Sequence, residues 1–161
     1  MPELVYFSLG SNVGDRAAYL RDALARLESI GRIVSVSSFY ETEPVEVTDQ
    51  PWFLNCAAGL ETTLTPEQLM ARLLQIEQEM GRRRIQKKGP RTIDIDILLF
   101  GGLILDSPEI TIPHPAMHER RFVLAPLAEI APGARHPVFK KMIWELLEKL
   151  PAGQTVRKIE M

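Results

Sequence analysis

The chemistry of this chain is concentrated in two carboxylates. Asp94 and Asp96 stand two residues apart in the stretch TIDIDILLF, residues 92–100, whose run of isoleucines and a closing phenylalanine reads as a strand. Side chains at i and i+2 of a strand point to the same face, here about 6.5 Å apart along the chain. Ile93, Ile95 and Ile97 then turn to the opposite, core-facing side. Magnesium takes oxygen ligands and is commonly held by one or two carboxylates together with substrate phosphates. The same pair would also suit a solvated strand face, or an edge charged against unwanted pairing. The preceding residues tip the balance. Arg82, Arg83, Arg84, Lys87, Lys88 and Arg91 place six cations within residues 82–91. A metal-bound triphosphate needs this combination, cations for its oxygens and carboxylates for its metal.

Other residues offer weaker signals. Gly10-Ser11-Asn12 follows a strand and opens a helix, where it could hold an anion or form an ordinary turn. It lacks the glycine–lysine spacing of a P-loop. His114 and His118, in HPAMH, have a spacing that holds zinc on a helix, but Pro113 and Pro115 oppose a regular helix there. His114 beside Arg120 and Arg121 could instead meet phosphate, or simply lie on the surface. Phe53 and Phe122 read first as core residues. Phe53, however, shares a strand face with Asn55, a pairing that could stack a flat heterocycle and read its polar edge.

These residues must be positioned by regular elements. Residues 4–9 read as a short buried strand, broken at Gly10, Ser11, Asn12 and Gly14. A helix follows, with Leu20, Leu24 and Leu27 on its apolar stripe and Gly31 as a stop. Residues 32–40 form a second strand, and residues 41–51, with Pro44 and Pro51, a long loop. Residues 52–64 alternate. Leu54, Cys56, Ala58 and Leu60 face one way, and Phe53, Asn55, Ala57 and Gly59 the other. Thr65-Pro66-Glu67-Gln68 is a capping box opening a second helix through Leu69, Leu73, Ile76 and Met80. The basic loop and the 92–100 strand come next, then helices near 123–130 and 138–150. This order predicts an α+β fold, a ferredoxin-like βαββαβ sandwich with a C-terminal helical annex.

Size and composition set the frame. The chain has 161 residues, 45% hydrophobic and 25% charged, which predicts one soluble domain over residues 1–161. A net charge of −2 argues against a nucleic-acid partner held by overall charge. Cys56 is the single cysteine, which suits a reducing compartment. No apolar run approaches the roughly 20 residues of a membrane span, and the N-terminus carries no signal pattern. The expectation is a cytoplasmic monomer with neither a membrane nor a nucleic-acid partner.

Taken together, SLGSNVGDR at 8–16, SSFYETEPV at 37–45, QPWFLN at 50–55, GPRTIDIDILLF at 89–100 and PHPAMHERRFVLAPLAEIAP at 113–132 resemble the 6-hydroxymethyl-7,8-dihydropterin pyrophosphokinases of folate biosynthesis. The resemblance spans roughly residues 5–130. It implies an ATP-binding, magnesium-dependent kinase-type transferase that moves pyrophosphate from ATP to the pterin hydroxyl and leaves AMP. Asp94 and Asp96 would hold two Mg²⁺ ions, acting in catalysis together with Arg82 and Arg91. Phe53 and Phe122 would sandwich the pterin, Asn55 would read its edge, and Thr42, Pro44 and Val45 would close over it. Arg84, Lys87, Arg91, His114 and Arg120 would contact the triphosphate, with Glu77, Ile97 and Thr111 on the nucleoside side. Lys87-Lys88 stands where many members carry Arg-Trp, exchanging a planar fork and an indole for two point charges. Two other readings fit parts of the pattern. A nucleotidyltransferase would use the same aspartates and release free pyrophosphate. An RNA-recognition module would need exposed aromatics on the central strands, and Asp94 and Asp96 on such a face would repel phosphate.

Overall fold

A computed structural model of the chain describes residues 2–43, 51–81 and 92–159. The chain begins with β1 (Glu3–Ser11), α1 (Arg16–Leu27), β2 (Arg32–Val36), β3 (Phe39–Thr42), β4 (Phe53–Thr62), α2 (Pro66–Glu79) and β5 (Asp94–Phe100). It continues through β6 (Leu105–Asp106), β7 (Thr111–Ile112), a 3₁₀ turn (Met117–Glu119), α3 (Arg121–Ile130), β8 (Arg135–His136), β9 (Lys141–Met142), α4 (Ile143–Lys149) and β10 (Val156–Ile159).

The local signals explain most of these boundaries. The Asp15 carboxylate accepts the Ala18 N–H at 3.1 Å and starts α1. Thr65 and Gln68 form a reciprocal capping box at the start of α2, with Pro66 as its first residue, where a missing N–H costs nothing. Both helices bury one stripe, Leu20, Ala23 and Leu27 on α1 and Leu69, Leu73, Ile76 and Glu77 on α2.

The main sheet runs in the order β10-β3-β4-β1-β5, with β2 also beside β4. Every neighbouring pair is antiparallel. Taking β2 and β3 as one bent strand, this is the order of a ferredoxin-like sandwich. One face packs under α1 and α2, through Phe7, Leu9, Leu54, Cys56, Leu60, Ile95 and Ile97. Among the described residues, the other face is covered at one end. There Ala57, Leu98 and Leu99 pack beneath Met117, Val123, Leu124, Leu127 and Ile143.

Boundaries differ from the sequence reading for tertiary reasons. The helix read near 138–150 is confined to α4, because Lys141 and Met142 pair with His136 and Arg135 as β9. β1 does not break at Gly10; it runs through Ser11, because Gly10 pairs with Asn55 on one side and Asp94 on the other. The predicted 32–40 strand bends at Ser37-Ser38, where Ser37 exchanges hydrogen bonds with Ala57. It then re-forms as β3, so that Glu41 and Thr42, read as loop, are strand residues. The C-terminal annex holds α3 and α4 and also contributes β10, which joins the main sheet against β3.

Candidate active site

Among the described residues β5 ends the sheet, with no neighbouring strand on one side of its backbone. Edge groups of this kind need partners. The Ile95 N–H donates to the Glu77 carboxylate of α2 at 2.9 Å. The Leu98 carbonyl accepts the His114 N–H at 3.0 Å. Leu98 lies at a register shift between β1 and β5, where Tyr6 faces Leu99 and Phe7 faces Ile97. The two residues that finish this edge are thereby fixed at the rim of a cleft. Its cavity of about 580 Å³ is lined by Met70, Leu73, Leu74, Glu77, Asp94, Ile95, Asp96, Ile97, Glu109, Ile110, Thr111, His114 and Pro115.

Asp94 and Asp96 project together from β5, half-buried, while Ile93, Ile95 and Ile97 are buried. Across the sheet, Asp94 aligns with Gly10 and Asn55, and Asp96 aligns with Ser8 and Ala57. The open end of the sheet therefore carries the two carboxylates at its edge and an amide toward its centre. Asn55 is only 4% exposed. Its Oδ1 accepts the Thr42 hydroxyl at 2.6 Å, and its Nδ2 reaches the Leu9 carbonyl at 3.5 Å. A Cβ at position 10 would lie 2.6 Å from Asn55 Nδ2, so glycine there makes room for the amide.

His114 is pushed well below its ordinary pKa, to about 4. Burial is the main cause and the Arg120 guanidinium adds to it, against an opposing pull from Asp94. The ring is neutral at pH 7. Its Nδ1 accepts the Ala116 N–H at 3.2 Å, which leaves the proton on Nε2. His118 follows a different course. Its Nε2 lies 3.3 Å from Glu119 and its ring packs on Phe139 at 4.6 Å. Among the described residues no cluster of three or more His, Cys, Asp or Glu could hold a metal.

The cleft brings together Asp94, Asp96, Glu77, Ile97, Thr111 and His114 from the sequence-predicted set. Thr42 and Asn55 are hydrogen-bonded to each other, with Phe53 beside Gly10 on the same face. Phe122 sits in the first turn of α3, partly buried, with the Arg120 guanidinium 5.6 Å from its ring centroid. Pro44, Val45, Arg82, Arg84, Lys87 and Arg91 lie outside the described residues. Sequence reasoning missed Glu109, for which no local signal exists. It read Gly10 as part of a turn or anion site and missed that a side chain there would crowd the Asn55 amide.

Comparison with known proteins agrees with this geometry. A family model described as 7,8-dihydro-6-hydroxymethylpterin-pyrophosphokinase matches residues 6–132. The chain is 49% identical over 132 residues to a Bacillus subtilis protein named 2-amino-4-hydroxy-6-hydroxymethyldihydropteridine pyrophosphokinase, covering 81% of this chain and 79% of that one. A Pseudomonas aeruginosa protein of the same name is 45% identical over 139 residues, with 85% and 86% covered. The Schizosaccharomyces pombe folic acid synthesis protein fol1 is 43% identical over 152 residues, 93% of this chain but 21% of that protein. The chain thus spans about a fifth of the latter relative and most of the two bacterial ones. In fold it is similar to Plasmodium falciparum HPPK-DHPS solved with pteroate, at a TM-score of 0.75 and 17% identity, covering 92% of this chain and 42% of that one.

Proposed function

Because the chain belongs to the 7,8-dihydro-6-hydroxymethylpterin-pyrophosphokinase family, ATP-dependent diphosphotransferases of folate biosynthesis, we propose that its β5 cleft carries the family's reaction on this chain's own side chains. ATP gives its terminal pyrophosphoryl group to the hydroxyl of 6-hydroxymethyl-7,8-dihydropterin and leaves as AMP. The observation that supports this most is the meeting of Asp94, Asp96, Glu77, Thr111 and His114 in one cavity. These residues come from α2, β5 and the β7 region, and a triphosphate needs all of their chemistries within its reach.

Asp94 and Asp96 would hold Mg²⁺, two ions on this reading. The metal would supply charge neutralisation on the transferring phosphates. His114, neutral and oriented by its Nδ1 bond to Ala116, presents an Nε2–H that can donate to a phosphate oxygen without titrating near pH 7. Glu77, Ile97 and Thr111, which all line the cleft, would form its nucleoside side. On the sheet face, Thr42 holds the Asn55 amide by its oxygen; one amide N–H is directed to the Leu9 carbonyl, and the other would donate to an acceptor on the pterin edge. Phe53 and Phe122 offer ring faces for the heterocycle. Arg82 and Arg91 would act with the aspartates on the transferring group, and Arg84, Lys87 and Arg120 would bind the phosphates. The nucleophile is the substrate's hydroxyl, so no Ser-His-Asp or Cys-His arrangement is required.

We also propose that residues 1–161 act as one catalytic domain, monomeric and cytoplasmic. The single buried Cys56 fits a reducing compartment, and no helix among the described residues is long and apolar enough to cross a membrane. The test is product analysis after mixing the protein with Mg-ATP and hydroxymethyl-dihydropterin. AMP and a diphosphorylated pterin are expected, and Asp96→Ala is expected to lower turnover about 10²–10³-fold through lost transition-state charge stabilisation. Free pyrophosphate with an adenylated pterin would make the chain a nucleotidyltransferase.

A further inference from the structure

β3 carries Thr42, yet it is held to β4 by a short ladder, Tyr40 to Asn55, Glu41 to Leu54 and Thr42 to Phe53. So short a ladder leaves register weakly specified unless side chains add to it. They do, from three directions. Arg16, the first residue of α1, donates to Glu41 Oε2 at 3.0 Å and to the Trp52 carbonyl at 2.9 Å. One guanidinium thereby bridges the end of β3 to the residue just before Phe53. Arg157 on β10 pairs with the other oxygen of Glu41, and its guanidinium lies 5.8 Å from the centroid of the Trp52 ring. Beyond β3, Glu43 is tied to the same C-terminal stretch. Its carbonyl accepts Gln154 Nε2 at 2.8 Å, and its carboxylate accepts the Thr155 N–H at 2.6 Å. None of the C-terminal partners falls within the family-matched residues 6–132.

We infer that the C-terminal strand is a positioning element for the pterin side of the site, with Arg157 as its key side chain, acting through Glu41, Arg16 and Trp52 to fix Thr42 and Phe53 on the opposite face of the same strands. The inference rests on the placement of pterin at Thr42, Phe53 and Asn55. Strand alternation carries the effect. Glu41 points to the helix side, and its neighbour Thr42 points to the open face and bonds Asn55. The Glu41 carboxyl is held below the usual carboxylate range, by Arg157 first and Arg16 second. It is therefore ionised and able to grip both guanidinium groups throughout the neutral range. Among the described residues, the partners of the Arg157 side chain are Glu41 and Trp52 rather than residues of the β5 cleft, so its loss acts on one substrate and spares the other.

The experiment uses the full chain with Arg157→Ala, Arg157→Lys, Glu41→Gln and Asn55→Ala, reading KM for each substrate and the melting temperature. In Arg157→Ala the pterin KM rises about five-fold, the scale of one partly exposed ion pair, while the ATP KM stays within about two-fold. Arg157→Lys, which keeps the charge but not the planar fork, recovers part of the loss. If Arg157→Ala does not fold, Glu41→Gln is read by the same criteria. An unchanged pterin KM, or a parallel rise in both KM values, overturns the positioning role. Asn55→Ala separates the two levels. If it weakens pterin while Arg157→Ala does not, only the strand's role fails. If Asn55→Ala leaves pterin KM unchanged, the pterin placement fails and the inference with it.

Discussion

Gly10→Ala tests the pterin side of the site with a single methyl group. Gly10 sits in the central strand between Asn55 and Asp94. A Cβ added there would lie 2.6 Å from Asn55 Nδ2 and 3.6 Å from Phe53 Cδ1. Ordinary contact begins near 3.4 Å, so the amide must retreat by about 0.8 Å while the phenyl ring can stay. The Thr42–Asn55 bond, 2.6 Å in the parent, cannot keep its length and angle through that move. Losing it removes about 0.5–1.5 kcal/mol. Replacing glycine by alanine in an element interior returns about 0.5–1 kcal/mol through a less flexible unfolded chain. Net stability therefore changes little. On the proposed placement the pterin edge would meet a displaced amide, and an unmatched polar group costs about 1–3 kcal/mol. The expected outcome is a pterin KM raised about tenfold, an ATP KM near the parent value and a melting temperature within a few degrees. Steady-state AMP formation against each substrate, with thermal unfolding alongside, gives all three. A parent-like pterin KM in a folded Gly10→Ala protein would refute the assignment of Asn55 as the reader of the pterin edge.

Two further outcomes concern the cleft rim. Glu77→Ala leaves the buried Ile95 N–H without its acceptor and should cost about 1–3 kcal/mol in chemical denaturation, whereas Glu77→Gln keeps an acceptor oxygen and should retain most of that stability. Equal losses in both variants would show that the hydrogen bond is not what Glu77 contributes. His114 has a folded pKa of about 4 against an ordinary value of 6.5, so between these values the unfolded chain binds more protons and stability falls as pH drops through the window. His114→Asn should flatten the stability profile between pH 6.5 and 4, measured by denaturant midpoints. An unchanged slope would show that the ring is not held neutral.

The chemistry of this chain was more legible than its edges. Asp94 and Asp96 could be placed on one face because strand alternation is a local rule, and burial of Ile93, Ile95 and Ile97 follows it. The Thr65–Gln68 capping box was equally local. The boundaries that differed depend on partners distant in sequence. Gly10 looks like a strand breaker in its own segment and becomes a strand residue only because β4 and β5 flank it. Glu41 and Thr42 carry no strand signal beside Pro44, and gain strand geometry from β4 on one side and β10 on the other. A strand as short as Val156–Ile159, following Gly153, gives periodicity too few residues to register.

The same distinction explains Glu77. In the sequence it occupies a position next to Ile76 on the buried stripe of α2, where an acid is normally a liability. It is 4% exposed, and its place is set by the backbone it serves. β5 is an edge strand, so the Ile95 N–H must find an acceptor inside the protein, and α2 supplies one. Ile95 lies between the two aspartates, so the bond that satisfies the edge also fixes the strand segment on which both carboxylates stand. The spacing of the chain could show that Asp94 and Asp96 share a face. It could not show that their height and tilt are held from the side by a third carboxylate on a helix. A variant that removes this support without touching either aspartate should therefore alter the metal-dependent step as well as stability. The contrast between Glu77→Ala and Glu77→Gln measures that coupling directly.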